Sequence, residues 1–178
     1  MAITAGKMRF TFITLIMVVM LCGCGLTQKV GDSTVAMTRA LLFKQVKILH
    51  LDIIAREAAN NNAAGIPLAT VVRIYQLKDR KVFDDTDYPT LFAEDSQAIK
   101  SDLVAQKDTR LRPGASITID IPMEASANYV AVAALFLTPD TENNTWRVVL
   151  NRDELDPDVA RKIEMNNQTL ALLPLKDD

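Results

Sequence analysis

From Phe10 to Leu21 the only polar residues are Thr11 and Thr14; Lys7 and Arg9 stand before this run and Leu21-Cys22-Gly23-Cys24 closes it. Such a run falls short of the ~20 residues a membrane-spanning helix needs and has the length of an export-signal core. Downstream the pattern changes to period two. Val46 to Ala55 is β-branched with partial alternation and predicts a strand; Leu68 to Leu77 is apolar on parts of both faces, which predicts a strand in the middle of a sheet. From Asp79 to Ser101 the spacing of Val82, Phe83, Leu91, Phe92 and Ile99 turns helical. Tyr88-Pro89 interrupts it, so two short helices are predicted, the second starting near Pro89. Strand patterns return at Leu103 to Arg110, Ser116 to Ile121, Tyr129 to Phe136, Trp146 to Leu150, Val159 to Met165 and Gln168 to Leu173. Turn signals divide them at Pro113-Gly114, Thr138-Pro139-Asp140 and Asn143-Asn144. Seven to eight short strands with a small helical insertion at about 79–101 predict a mainly β fold, a β-sandwich.

Two segments fit neither period. Gly25 to about Lys44 mixes polar residues with an apolar patch at Val35 to Phe43, and reads as a tether leading into a short helix or a first strand. Arg56-Glu57-Ala58-Ala59-Asn60-Asn61-Asn62-Ala63-Ala64-Gly65-Ile66 lacks any β pattern, has little of its own to bury, and ends against Pro67. A long connection of that composition, with at most a frayed helical turn, is either disordered or held by something else.

The apolar run ends in a leucine three residues before Cys24 and a glycine directly before it, the form of a lipobox. Its chemistry needs a small residue at the cut and a thiol that accepts diacylglycerol before cleavage exposes the cysteine amine. Residues 1–23 are therefore expected to be a lipoprotein signal, 24–44 an acylated N-terminus and tether, and 45–178 the folded domain. Met8 is an alternative start, since Met8-Arg9 and the run behind it form a complete signal. Two or three acyl chains on Cys24 anchor durably where one binds marginally. A disulfide or redox pair of Cys22 with Cys24, or an uncleaved anchor, is the competing reading; C-x-C is poor disulfide geometry and no other cysteine exists. Gly25 stands where an aspartate would mark inner-membrane retention, which favours the outer membrane.

Without the signal, Lys7 and Arg9 are lost and 18 basic side chains face 22 acidic ones, a net charge of −4 that argues against a nucleic-acid partner. His50 is the single histidine, so a zinc cluster built on several imidazoles is excluded, and its mid-strand position suits a solvated or edge-facing side chain. Asp84, Asp85 and Asp87, followed by Glu94 and Asp95, lack the glycine and terminal glutamate of a calcium loop and read as helix N-terminal acids. Trp146 reads as a core or rim aromatic, and the Asn143 and Asn167 segments as turns. No nucleophile elbow, phosphate loop or dinucleotide fingerprint occurs; no cofactor, metal or catalytic residue is expected, and an enzyme is disfavoured.

Taken in order, the lipobox, Ile48-Leu49-His50-Leu51-Asp52-Ile53, the stretch Pro67 to Lys78 containing Val-Val-Arg-Ile-Tyr-Gln-Leu-Lys, Phe83 and the helical run to Phe92, Asp102-Leu103-Val104, Leu111-Arg112-Pro113-Gly114 and Thr145-Trp146-Arg147 resemble the outer-membrane lipoprotein of the bacterial type VI secretion system, the TssJ (SciN) family. The resemblance covers essentially the whole chain. It implies a transthyretin-like β-sandwich and a non-enzymatic role: binding the periplasmic C-terminal domain of the TssM (IcmF-like) inner-membrane protein, with the loop between the first two strands taking part. Mapped here, that loop is Arg56 to Ile66. This chain departs from the family in an Asn-rich form of the loop and an extended tail from Asp153 to Asp178. Arg56 and Ile66 are the residues expected to carry most of the contact energy, as arginines and apolar anchors commonly do. The alternative is a lipoprotein that holds a small hydrophobic ligand or peptidoglycan between its sheets.

Overall fold

The computed structural model describes residues 45–93 and 96–175. The export signal, Cys24, the tether with its Val35 to Phe43 patch, and Glu94 and Asp95 lie outside the described residues. The elements are β1 (Ile48–Ala55), β2 (Thr70–Leu77), α1 (Lys81–Asp85), α2 (Tyr88–Phe92), β3 (Leu103–Leu111), β4 (Ser116–Pro122), β5 (Tyr129–Ala134), β6 (Arg147–Asn151), a 3-10 turn (Arg152–Glu154), β7 (Arg161–Met165) and β8 (Leu170–Leu172). Each strand that alternation predicted is present, its ends shifted by a residue or two.

The strands form two four-stranded sheets, ordered β4-β1-β7-β8 and β3-β2-β5-β6. All neighbours are antiparallel except β1 and β7, which run parallel with Leu51 opposite Arg161 and Ile53 opposite Ile163. β2 lies between β3 and β5, and both of its faces are apolar because the first sheet packs on one and the helical insertion on the other. Leu49, Leu51, Ile53, Ile163 and Met165 of the first sheet and Val72, Ile74, Val130, Val132 and Leu150 of the second are buried and form the core. Gln76, only 2 % exposed, joins the sheets at one end. Its Nε2 donates to the Pro122 carbonyl and its Oε1 accepts from the Glu124 amide, each at 2.8 Å. A buried amide satisfied on both sides escapes the cost of an unpaired one and specifies how the sheets align.

The helical insertion packs on the face of β2, β5 and β6 that turns away from the first sheet. Phe83 meets Tyr75 edge to face at 5.5 Å, and Tyr88, Phe92 and the fully buried Trp146 form a second aromatic group. Arg147 holds α1 in place: its guanidinium donates to the carbonyls of Phe83, Asp84 and Thr86 and lies 4.5 Å from the Trp146 ring centre. Desolvation by burial lowers the Arg147 pKa, but a guanidinium remains charged far above neutrality. The three carbonyls belong to a short helix end, where intrahelical donors run out.

The acids of this segment divide. Asp87 is an N-terminal acid, its side chain accepting from the Thr90 amide to start α2, where Pro89 occupies the first turn. Asp84 stands in the first turn of α1 as expected, while Asp85 corrects the expectation as its last residue; both pair one turn back, with Arg80 and Lys81. His50 is on β1, an inner strand of its sheet, so it is not an edge residue; Nδ1 lies 2.5 Å from Asp120 Oδ1 on the solvent face.

Candidate functional site

Four connections gather at one end of the sandwich: β1–β2, β3–β4, β5–β6 and β7–β8, because the strands that enter each of them all finish on the same side. The β1–β2 loop lies among the other three. Ala55 donates to the Ala115 carbonyl and Arg56 to the Met165 carbonyl, so the loop leaves β1 already tied to both neighbours. Gly114, at φ +71°, makes the β3–β4 turn that a side-chain-bearing residue would strain, and its amide donates to the Arg56 carbonyl.

The expectation that the loop buries little is overturned at Ala59 and Asn60, which are 0 % and 5 % exposed. Asn60 adopts the left-handed region at φ +53°, a conformation that asparagine tolerates and most residues do not. Its amide donates to the Asn167 carbonyl, its carbonyl accepts from Leu68, and its Oδ1 accepts from the Leu137 amide at 2.7 Å. Asn61 donates its amide to Asn167 Oδ1 at 2.6 Å and forms a bridge with Pro67. Asn62 shapes the tip: its Oδ1 accepts from the amides of Ala64 and Ile66, and its carbonyl accepts from Gly65, which sits at φ +75°. Asn60 and Asn62 thus replace an apolar core with side-chain-to-backbone bonds, Asn61 is held through its own amide by the Asn167 side chain, and the segment is held by its own domain.

What remains at the surface is Arg56, Glu57, Ala58, Ala63, Ala64, Gly65 and Ile66; Asn61 and Asn62 are half-buried. Arg56 pairs with Glu164 at 2.6 Å, yet its side chain is 62 % exposed, so the pair is weak and the guanidinium can be shared with a partner. Ile66 and, from the β5–β6 connection, Leu137 are each 57 % exposed and Leu135 41 %, giving this end apolar surface beside the arginine. Ala59 and Asn60 are withdrawn from any contact and act as the frame. Leu137 and Asn167 belong to the same arrangement but were not singled out as site residues; Asn167 in a turn signal was their one hint.

The β5–β6 connection is built in the same manner. Asp140 accepts from the Thr145 hydroxyl at 2.7 Å and from the Asn143 amide at 3.1 Å, which holds its pKa below the ordinary carboxylate value. Asn144, at φ +56°, accepts from the Trp146 indole. Among the described residues no group of three or more His, Cys, Asp or Glu is placed to hold a metal ion.

A family model described as type VI secretion lipoprotein, VasD, EvfM, TssJ, matches residues 47–168. A comparison with curated proteins finds no match. Among solved structures, a chain in "T6SS protein TssM C-terminal domain (869-1107) from EAEC" is 55 % identical, spans 73 % of this chain and 100 % of its own length, and superposes with a TM-score of 0.68. A chain of a type VI membrane complex is 57 % identical over 73 % of this chain and 100 % of its own, with a TM-score of 0.70. The T6SS lipoprotein TssJ1 from Pseudomonas aeruginosa shares the fold at 23 % identity and a TM-score of 0.62, covering 74 % of this chain and 98 % of its own. With two four-stranded sheets, a short helical insertion and a family match across the whole sandwich, this chain belongs to the type VI secretion lipoprotein family of TssJ, VasD and EvfM.

Proposed function

We propose that this protein is a non-enzymatic adaptor of the type VI secretion envelope complex: cleaved before Cys24 and acylated there, held at the outer membrane, and bound through its β1–β2 end to the periplasmic C-terminal domain of a TssM-like inner-membrane protein. The observation that carries the reading is the chain 55 % identical to this one in a solved structure of the TssM C-terminal domain. The geometry supports it. A loop tied down by Asn60, Asn61 and Asn62 loses little conformational freedom on docking, and rigid presentation favours affinity. The lipobox supplies the anchor, and residues 24–44 supply reach between the membrane and the domain.

The test is a calorimetric titration of the domain from Gly25 onward against the cognate TssM-like C-terminal domain; solved relatives of similar extent adopt the fold. Saturable binding is expected, weakened about tenfold or more (~1.4 kcal/mol) by Ile66→Asp or Arg56→Ala with the far-ultraviolet circular dichroism unchanged. A folded domain that shows no binding would overturn the adaptor role. Binding indifferent to both substitutions would leave the partner and remove the loop.

A further inference from the structure

One side of the sandwich is closed: Leu170, at the start of β8, donates its amide to the Thr145 carbonyl just before β6 at 2.6 Å and so joins the two sheets. The other side ends, among the described residues, in two free edges, β3 in the second sheet and β4 in the first. β3 carries Lys107, Asp108 and Arg110, all exposed, and charges of that kind keep an edge from pairing with another strand. β4, Ser116-Ile117-Thr118-Ile119-Asp120-Ile121-Pro122, has a single charge, no lysine or arginine, and a proline only at its last position. Ala55 donates to the Ala115 carbonyl and Met123 to the Lys47 carbonyl, and the register between them runs without a shift, so the odd-numbered residues of β4 bond to β1. The amides and carbonyls of Ser116, Thr118 and Asp120 therefore point away from the sheet, and no hydrogen bond from a described residue reaches them. Ile119 is buried, but Ile117 and Ile121 on the same face are only half-buried, because no strand lies beyond them. On the opposite face Thr118 donates to Asp52 at 2.7 Å and Asp120 pairs with His50, so both side chains are tied back over β1 and leave the edge flat.

We propose that β4 pairs with β4 of a second copy of this chain, antiparallel about a two-fold axis at Ile119, joining the two first sheets into one continuous sheet. That register is self-complementary. On the inner face Ile119 meets Ile119 and Ile117 meets Ile121 of the second copy, so both half-buried isoleucines gain cover. On the outer face Thr118 stands opposite Asp120 of the second copy, and these two residues exchange backbone bonds. Pro122 falls opposite Ser116 at the end of the ladder, where a missing donor interrupts nothing. A register moved one way sets Asp120 against Asp120, like charges directly opposite, which is destabilising; moved the other way it sets Ile121 against Ala115, beyond the end of the strand. Both β1–β2 ends stay clear of the pairing, at opposite ends of the joined sheet. Under the anchoring proposed above, copies held on one membrane meet at a raised effective concentration, which favours a contact of modest strength.

The experiment is analytical sedimentation of the unacylated domain from Gly25 onward, from micromolar to about millimolar concentration, since a single strand pair falls at the small, transient end of interfaces. A reversible monomer–dimer equilibrium is expected. Hydrogen exchange at the Thr118 and Asp120 amides should slow as the dimer forms, while Ile117 and Ile119, already bonded to β1, stay protected throughout. Thr118→Asp sets a carboxylate opposite Asp120 at two symmetric places and should weaken the dimer about tenfold or more, with the circular dichroism unchanged. Thr118→Lys sets an ammonium there instead and should tighten the dimer about threefold or more, the reverse of what a lysine does to an edge that pairs without a fixed register. Thr118→Pro removes one outward donor and no bond to β1, and should abolish the dimer; the two charge variants serve if it does not fold. A domain that stays monomeric at every concentration, a dimer indifferent to Thr118→Asp, or one weakened by Thr118→Lys overturns the proposal. A monomeric domain whose Thr118 and Asp120 amides become protected only when the TssM-like domain is added also overturns it, and gives the edge to that partner.

Discussion

Asn60→Ala separates the two things that one side chain does for the β1–β2 loop. Alanine at φ +53° meets the clash between Cβ and the following carbonyl, a cost of about 1–2 kcal/mol. It also removes the acceptor for the Leu137 amide, which asparagine engages at 2.7 Å. A buried donor left unpaired costs about 1–3 kcal/mol, but Leu137 is 57 % exposed and water can reach the freed amide, so the low end applies. The sum is about 2–3 kcal/mol. For a domain of this size that lowers the thermal midpoint by roughly 6–12 °C. Asn60→Gly meets no clash and loses only the bond, about 1 kcal/mol. Asn60→Asp keeps an acceptor and most of the tolerance for positive φ, but it buries a carboxylate at a position only 5 % exposed and should fall below the parent at neutral pH. Urea unfolding of the four proteins in parallel gives the order. If the alanine and glycine variants coincide within error, the left-handed backbone is not what asparagine supplies there; if alanine equals the parent, the frame does not depend on Asn60.

Arg147→Lys should destabilise by about 2–3 kcal/mol in the same assay, because one ammonium on a flexible stem cannot serve the carbonyls of Phe83, Asp84 and Thr86 together. Acid should weaken the fold through Asp87 and Asp140, whose folded pKa values are depressed by their hydrogen bonds to Thr90 and Thr145. Their contribution is complete above the ordinary carboxylate value and is lost as pH falls through the lower folded one. The thermal midpoint should therefore drop only in that acidic window, and less steeply in Asp140→Asn. Cys24→Ser should abolish labelling with radioactive palmitate and release the protein from the membrane fraction; continued labelling would place the acyl chain elsewhere.

β1 and β7 were legible because they bury alternate residues, and β2 and β5, covered on both faces, because they read as near-continuous apolar runs. Pro89 made the start of α2 legible in the same direct way. The order of the loop was not, since its stabilising groups are polar: Asn60, Asn61 and Asn62 act through backbone bonds to Leu137, Asn167 and the tip, and no periodicity registers them. Three consecutive asparagines were nonetheless a usable signal, given how well that residue accepts positive φ and Asx turns. Asp85 was misread because α1 spans only Lys81–Asp85, so an acid expected near a helix start is its last residue.

The parallel pairing of β1 with β7 governs when this domain can form. β1 is the first of the described strands to emerge in a chain threaded amino end first, and it occupies an inner position whose two neighbours come from later segments. With β4 alone beside it, β1 has one edge open until β7 arrives near the carboxyl end. Pairing between segments so distant along the chain is slow to nucleate. Under the export route proposed above, the same connectivity keeps the polypeptide unfolded through most of its passage across the inner membrane and lets it close only when nearly all of it has reached the far side.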